Sequence, residues 1–142
     1  MNTAEITSKP FAWPLRVYYE DTDAQGVVYY ANYFRFMERA RTEWLRTLGV
    51  DQVALMQQER RIFVVTETKA EFIVPARFND EVVVTARLAG LTRATFGIEQ
   101  NIYRDSLDGT LLLKGSVRAA YLNADTLRPT RVPASLFEGK KS

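Results

Sequence analysis

Three carboxylates, Glu20, Asp21 and Asp23, lie just before Gly26 and before the start of a long predicted helix. The N-terminus of a helix presents unpaired backbone N–H groups and the positive end of the helix dipole, which stabilise an anion or a developing oxyanion. A carboxylate beside such groups could act as a nucleophile or as a general base. Because an Asp in a loop before a helix is more often a turn or capping residue, the spacing alone leaves both roles open.

The composition excludes most other kinds of catalytic site. The chain has 142 residues and contains neither histidine nor cysteine. Ser-His-Asp hydrolysis, His-based zinc sites and thiol nucleophiles are therefore excluded, and neither a metal site nor a disulfide is predicted. Any catalysis must rest on carboxylates, hydroxyl groups, Lys, Arg or backbone N–H groups.

Hydropathy and charge predict a single compact domain over residues 1–142, with 46% hydrophobic and 25% charged residues. The net charge of +2 is spread over residues of both signs, which gives little support to nucleic-acid binding. The basic residues Arg128, Arg131, Lys140 and Lys141 are interpreted as a solvated C-terminal tail. No apolar run is long enough for a membrane span and no signal peptide is evident, so we expect a cytoplasmic protein.

Periodicity predicts the elements that must position the carboxylates. Alternation of apolar and polar residues predicts a first strand over Leu15–Glu20. Apolar residues at spacings of three and four predict a helix over Asn32–Leu48, with Asn32 as its N-cap and Gly49 just past its end. Tyr29, Tyr30 and Tyr33 are interpreted from the pattern as packing residues.

The second half of the chain changes to strand periodicity after a short helix predicted over Asp51–Gln58. Asp108-Gly109 is typical of a hairpin turn, so the last two strands should be antiparallel neighbours. The order predicts an α+β fold in which one sheet packs on one long helix, and apolar residues on both faces of several strands suggest a subunit interface. The four strands are predicted at Arg61–Val74, Glu81–Leu88, Arg93–Tyr103 and Thr110–Leu122.

The segment RVYYEDTDAQGVVYYANY from Arg16, followed by FMERARTE from Phe36, resembles the signature of YbgC-like acyl-CoA thioesterases. These belong to the wider 4-hydroxybenzoyl-CoA thioesterase family, and the resemblance covers nearly the whole chain. It implies the hot-dog fold, in which an antiparallel sheet wraps around one long central helix. It also implies homodimers or homotetramers with active sites at the subunit interface. The implied reaction is hydrolysis of an acyl-CoA thioester without a cofactor, since CoA is part of the substrate.

Asp23, rather than Asp21, matches the catalytic carboxylate of the family, and its role as nucleophile or as general base stays open. The backbone N–H of Tyr30 matches the group that polarises the thioester carbonyl. Two positions depart from the common pattern, because many members carry His where this chain has Tyr30 and Gly where it has Gln25. The positions that match substrate-binding residues are Gly26, Val27, Phe63, Val64, Arg93, Thr95 and Arg128, with the arginines expected at the CoA phosphates.

Two alternatives to an acyl-CoA thioesterase follow from the sequence. The missing His suggests an acyl-CoA or acyl-carrier-protein binding subunit with little hydrolysis, and the basic pI suggests, more weakly, a nucleic-acid-binding module. The resemblance also implies an association with the Tol-Pal cell-envelope cluster and an acyl carrier protein as a possible partner.

Overall fold

The computed structural model describes residues 10–138, and its five strands form one antiparallel sheet in the order β1-β3-β4-β5-β2. The predicted α+β architecture of one sheet and one long helix is confirmed. Residues 1–9, which the expectation about a signal peptide concerns, and the tail residues Lys140 and Lys141 lie outside the described residues. The elements are β1 (Phe11–Arg16), α1 (Tyr30–Thr47), α2 (Gln52–Glu59), β2 (Arg61–Phe72), β3 (Glu81–Leu91), β4 (Thr95–Arg104) and β5 (Leu111–Asn123), with 3-10 turns at Tyr19–Asp21 and Ala134–Phe137.

Two pairs of consecutive strands, β3–β4 and β4–β5, are neighbours in the sheet, whereas β2 and β3 are not. The predicted hairpin between β4 and β5 is confirmed, with Thr95 opposite Ala120 and Tyr103 opposite Leu111. Strand β2 pairs only with β5 within residues 10–138, so β2 forms one edge of the sheet. Its twelve residues are half-buried or exposed throughout.

A first strand precedes the carboxylates as predicted, but the predicted bounds Leu15–Glu20 are wrong, because β1 ends at Arg16 and Tyr19–Asp21 form a 3-10 turn. The side chain of Asp21 accepts the Tyr18 N–H at 2.8 Å, and the Asp21 N–H donates to the Tyr18 carbonyl at 3.0 Å. These local bonds compete with strand pairing and turn the chain toward α1.

The ends of α1 were predicted with unequal success. The N-cap is Tyr29 and not Asn32, since Asn32 lies buried in the first turn and its amide donates to the Asp21 carbonyl at 2.9 Å. The prediction of Gly49 past the C-terminus is confirmed, with φ +85°. The Gly49 N–H donates to Arg46 and the Val50 N–H to Leu45, which is the Schellman arrangement.

The core under α1 consists of two apolar clusters, which pack against the first and second halves of the helix. Along β4, Ile102 belongs to the first cluster and Ile98 to the second. Gln100, fully buried, lies between them and accepts a hydrogen bond from Arg41 of the helix at 3.0 Å. A polar layer therefore divides the core.

Candidate active site

The loop between β1 and α1 holds Asp23 in a tight turn. The Asp23 N–H donates to the Val27 carbonyl at 2.9 Å, and the Gly26 N–H donates back to the Asp23 carbonyl at 3.0 Å. Gly26 has φ +77°, a conformation that favours glycine. The Asp23 side chain is exposed and its Oδ1 accepts the Gln25 N–H at 2.9 Å, whereas no donor within residues 10–138 contacts Oδ2. One carboxylate oxygen is therefore held by the turn and the other is free.

The start of α1 is fixed by bonds to its neighbours. The Tyr29 N–H donates to the Asp21 carbonyl at 2.9 Å and the Val28 N–H to the Ala76 carbonyl at 2.8 Å. In contrast, no acceptor in the described part of the chain receives the Tyr30 N–H, as expected at the first position of a helix. Asp23 and Tyr30 thus lie on two arms of one loop, with an unpaired donor at the start of the helix.

The two aspartates of the loop have different roles. Both the carboxylate and the carbonyl of Asp21 accept structural hydrogen bonds, from Tyr18, Tyr29 and Asn32. Asp21 therefore shapes the loop, and Asp23 is the aspartate with an uncommitted oxygen.

A cavity of about 220 Å³ opens beside the N-terminus of α1. Tyr33 is buried, and its hydroxyl oxygen accepts the Ala76 N–H at 3.0 Å. Burial is the largest cause of the raised pKa of Tyr33. Tyr30 is 58% exposed and Tyr29 47%, so the interpretation of these two tyrosines as packing residues is wrong. The lining residues are Val28, Tyr30, Tyr33, Phe72, Ile73, Val74 and Pro75.

The remaining sequence-predicted site residues fall into two groups. Gly26 and Val27 lie in the Asp23 loop, where Val27 pairs with Arg77. The other five lie at the opposite end of the sheet, near the C-terminus of α1, whose 18 residues span roughly 27 Å. A single chain therefore does not bring the two groups together. The distant group comprises Phe63, Val64, Arg93, Thr95 and Arg128.

Within the distant group, Thr95 closes the β3–β4 turn through its hydroxyl, 2.6 Å from that of Thr92. Arg93 and Arg128 are exposed, and neither forms an ion pair with a residue between 10 and 138. The Arg93 carbonyl accepts the Val132 N–H at 2.8 Å, which fixes the C-terminal segment against this turn. Two free guanidinium groups therefore flank this end of the sheet.

Phe63 and Val64 lie on opposite faces of β2, as successive strand residues must. Phe63 faces the helix and packs against Phe96 with ring centroids 5.5 Å apart. It lines a second cavity, of about 240 Å³, together with Val65 rather than Val64.

Sequence reasoning missed Arg41, which also lines this second cavity. A signal was present, because Arg41 lies four residues after Met37 and three before Trp44 and so falls on the apolar stripe of the helix. Gln100 was also missed, although the alternation of β4 places it at an inward position between Ile98 and Ile102.

Residues 10–138 bring together no cluster of three or more acidic side chains that could hold a metal ion. None of the helices between residues 10 and 138 has the length and apolar character needed to cross a membrane.

Comparisons with known proteins agree with this architecture. Residues 17–139 match the family model of the thioesterase-like superfamily. The chain is 40% identical over 123 residues to the acyl-CoA thioesterase YbgC of Haemophilus influenzae, covering 87% of this chain and 88% of that protein. It is 40% identical over 126 residues to the acyl-CoA thioester hydrolase YbgC of Escherichia coli O6:H1, covering 89% of this chain and 92% of that protein.

A solved structure, a mutant 4-hydroxybenzoyl-CoA thioesterase complexed with 4-hydroxybenzoyl-CoA, matches with a TM-score of 0.85 at 19% identity. The match covers 92% of this chain and 98% of that chain, which confirms the hot-dog fold. The predicted family is confirmed by the relatives at 40% identity. The chain therefore belongs to the thioesterase-like superfamily, alongside the YbgC acyl-CoA thioesterases, and is a thioester hydrolase.

Proposed function

We propose that the chain hydrolyses acyl-CoA thioesters, with Asp23 as the catalytic carboxylate and the Tyr30 N–H as the donor to the thioester carbonyl. The observation that carries the proposal is the presence, in one loop, of a carboxylate oxygen and a helix N-terminal N–H that have no hydrogen-bond partner among residues 10–138. The names of the relatives at 40% identity support acyl-CoA as the substrate.

The chemistry needs no histidine, because a thioester is an activated acyl group whose thiolate leaves readily. As the carbonyl carbon is attacked, its oxygen gains negative charge, which the N–H and the dipole of α1 stabilise. When the C–S bond breaks, the CoA thiolate leaves with the electron pair and takes a proton from solvent.

Asp23 has two possible roles in this reaction. As a nucleophile, its carboxylate forms a mixed anhydride with the acyl group, and water then cleaves the anhydride. As a general base, it takes a proton from the water that attacks the thioester directly. Label that enters Asp23 during a single turnover in ¹⁸O-labelled water identifies the nucleophilic route. The nucleophilic route releases an acid whose new oxygen is unlabelled when water cleaves the anhydride at the Asp23 carbonyl, and it leaves label in Asp23. The general-base route labels the acid and never the enzyme.

The Tyr30 side chain replaces the His that many members carry, and we assign it to substrate binding. Its ring lines the aromatic cavity next to the proposed oxyanion donor. The apolar lining favours an acyl group, whose burial contributes about 0.8 kcal/mol per methylene.

A second copy of the chain completes the site in this proposal. Edge strand β2 lacks a partner on its outer side within residues 10–138. Antiparallel pairing of two β2 strands about their midpoint would place Phe72 of one copy opposite Arg61 of the other. Phe72 lines the cavity beside Tyr30, and Phe63 belongs to the distant group, so the two groups would meet across the dimer.

Mixing two defective variants tests this shared site. One variant carries Asp23→Asn, and the other carries Arg93→Glu with Arg128→Glu, which removes the positive charge expected at the CoA phosphates. If each site combines both chains, random heterodimers contain one intact site and recover up to about a quarter of the wild-type activity. If each chain carries a whole site, mixing restores nothing.

The activity itself is tested by thiol release from short, long and aromatic acyl-CoAs, with binding of the same ligands measured by calorimetry. Turnover of at least one substrate supports the proposal. Binding with negligible turnover throughout would favour the alternative of an acyl-CoA or acyl-carrier-protein binding subunit. If the protein neither hydrolyses nor binds any of these ligands, both the thioesterase proposal and the binding-subunit alternative are contradicted.

A further inference from the structure

Arg41 presents a cation to the second cavity, between the middle of α1 and the inner face of the sheet. The cavity measures about 240 Å³. Its apolar walls include Phe63, Phe96 and Ile98, and its polar lining residues are Glu38, Arg41, Thr42 and Gln52.

The guanidinium of Arg41 is only partly satisfied by the chain. Its Nη1 donates to the Gln100 side-chain oxygen at 3.0 Å, and no carboxylate among residues 10–138, Glu38 included, forms an ion pair with it. Burial lowers the pKa of Arg41, while the charge of Glu38 acts in the opposite direction. A guanidinium keeps its charge in proteins, so this group is a partly buried cation, and several of its N–H donors have no acceptor in the described part of the chain.

Gln100 holds Arg41 in this orientation. The Gln100 amide nitrogen donates to the Met37 carbonyl at 2.9 Å and to the Thr85 carbonyl at 3.3 Å. Because both amide hydrogens have acceptors, the amide oxygen is fixed toward Arg41. The helix, β3 and β4 together therefore preorganise the guanidinium for a ligand.

We propose that this cavity binds a carboxylate at the far end of the acyl chain, so that the enzyme acts on ω-carboxyacyl-CoA substrates. A buried charge requires a partner, and a carboxylate matches the fork of N–H donors on a guanidinium. The apolar walls suit the methylene groups that precede such a carboxylate. This inference rests on the proposed thioesterase function.

The cavity lies within reach of a partner's catalytic loop in the dimer proposed above. With β2 paired to its copy about the midpoint, Phe63 lies two residues from the position opposite the partner's Phe72. This separation is about 7 Å along the strand and 4.8 Å across it. The Arg41 cavity and the aromatic cavity of the other chain would then join into one acyl-binding channel.

The test compares adipoyl-CoA with hexanoyl-CoA, which have the same number of acyl carbons and differ in the terminal carboxylate. We expect a higher kcat/KM for adipoyl-CoA in the wild type. Arg41→Gln should lower kcat/KM for adipoyl-CoA about 10-fold to 100-fold, as for loss of a hydrogen-bonded charge, and should leave hexanoyl-CoA nearly unchanged. Arg41→Lys should retain part of the preference. Arg39→Gln, on the exposed side of the same helix, is the matched control and should retain all of it.

A second measurement needs no variant that might fail to fold. Adipate should raise the Tm of the wild type more than hexanoate does. If adipate stabilises the protein but adipoyl-CoA is not preferred, the cavity takes a free anion and the proposal is overturned. If neither adipate nor adipoyl-CoA is preferred over its hexanoyl counterpart, the cavity does not bind a carboxylate and the proposal is likewise overturned.

The two proposals can fail separately. Hydrolysis of both substrates without any dependence on Arg41 would leave the thioesterase function standing and remove the carboxylate site. Arg41-dependent binding of adipoyl-CoA by calorimetry, without turnover, would leave the carboxylate site and remove the function.

Discussion

Replacing Tyr33 by Phe removes one hydroxyl group and leaves the Ala76 N–H without its acceptor. Both residues are buried, Tyr33 at 4% and Ala76 at 0% exposure, and the bond is 3.0 Å long. An unpaired buried N–H costs about 1–3 kcal/mol of unfolding free energy. For a chain of this length, that loss lowers Tm by roughly 3–10 °C.

Thermal and denaturant unfolding measure this effect, with Tyr19→Phe as the control. Tyr19 is 77% exposed and its hydroxyl has no hydrogen bond to the described residues, so its loss should change stability by less than about 0.5 kcal/mol. Equal stability of the two variants would refute the assignment of the Tyr33 hydroxyl as a buried acceptor.

The same substitution should change the alkaline stability. Because burial raises the pKa of Tyr33, the unfolded chain ionises this hydroxyl at a lower pH than the folded chain does. The contribution of the neutral Tyr33 hydroxyl to the free energy of unfolding is complete below about pH 10. It is lost as pH rises toward the pKa of the folded state. Tyr33→Phe should therefore lose less stability between neutral and alkaline pH than the wild type loses.

Three further predictions concern packing, capping and charge. Gly115→Ala should destabilise the protein by about 1–3 kcal/mol in denaturant titration, because the added Cβ would lie 2.9 Å from the Gln100 carbonyl oxygen in the core; wild-type stability would contradict this close packing. Asp51→Ala should cost about 1 kcal/mol, since the Asp51 carboxylate caps α2 through bonds of 3.0 and 3.2 Å, whereas an unchanged midpoint would show that the cap contributes nothing. Arg60→Gln should raise the pKa of Asp125 measured by NMR, because the hydrogen bond from Arg60 is the largest cause of its lowered pKa. The contribution of this pair is present above the unfolded pKa of Asp125 and is lost as pH falls through the folded pKa, so a pKa insensitive to Arg60 would contradict the ion pair.

The helix and the sheet could be predicted from the sequence because their signals are local. The apolar spacing of α1, its Gly49 terminus and the Asp108-Gly109 turn each act over a few residues, and the structure contains all three. The start of the site loop was missed for a local reason as well. The alternation over Leu15–Glu20 continued past Arg16, but the Asp21 side chain competes for the backbone there.

The arrangement of the site could not be predicted in the same way, because it depends on tertiary and quaternary contacts. The motif located Asp23 and Tyr30 in one loop. Nothing in the spacing of Phe63 or Arg93 indicated that these residues lie at the far end of α1, since that follows from the strand order. Arg41 could have been identified from the sequence, because it is a charged residue on the apolar stripe of a helix. Such a conflict between residue type and position is typical of functional sites.

The most direct test of the account is the kcat/KM of Asp23→Asn on the best acyl-CoA substrate, measured beside Glu20→Gln. Glu20 is an exposed carboxylate in the same segment and forms no side-chain hydrogen bond with the described residues. We expect Asp23→Asn to lose about 10²-fold to 10⁴-fold in kcat/KM while retaining acyl-CoA binding and Tm, and Glu20→Gln to retain near wild-type activity. Retention of most activity by Asp23→Asn would show that the Asp23 carboxylate, in the loop before α1, is not the catalytic group.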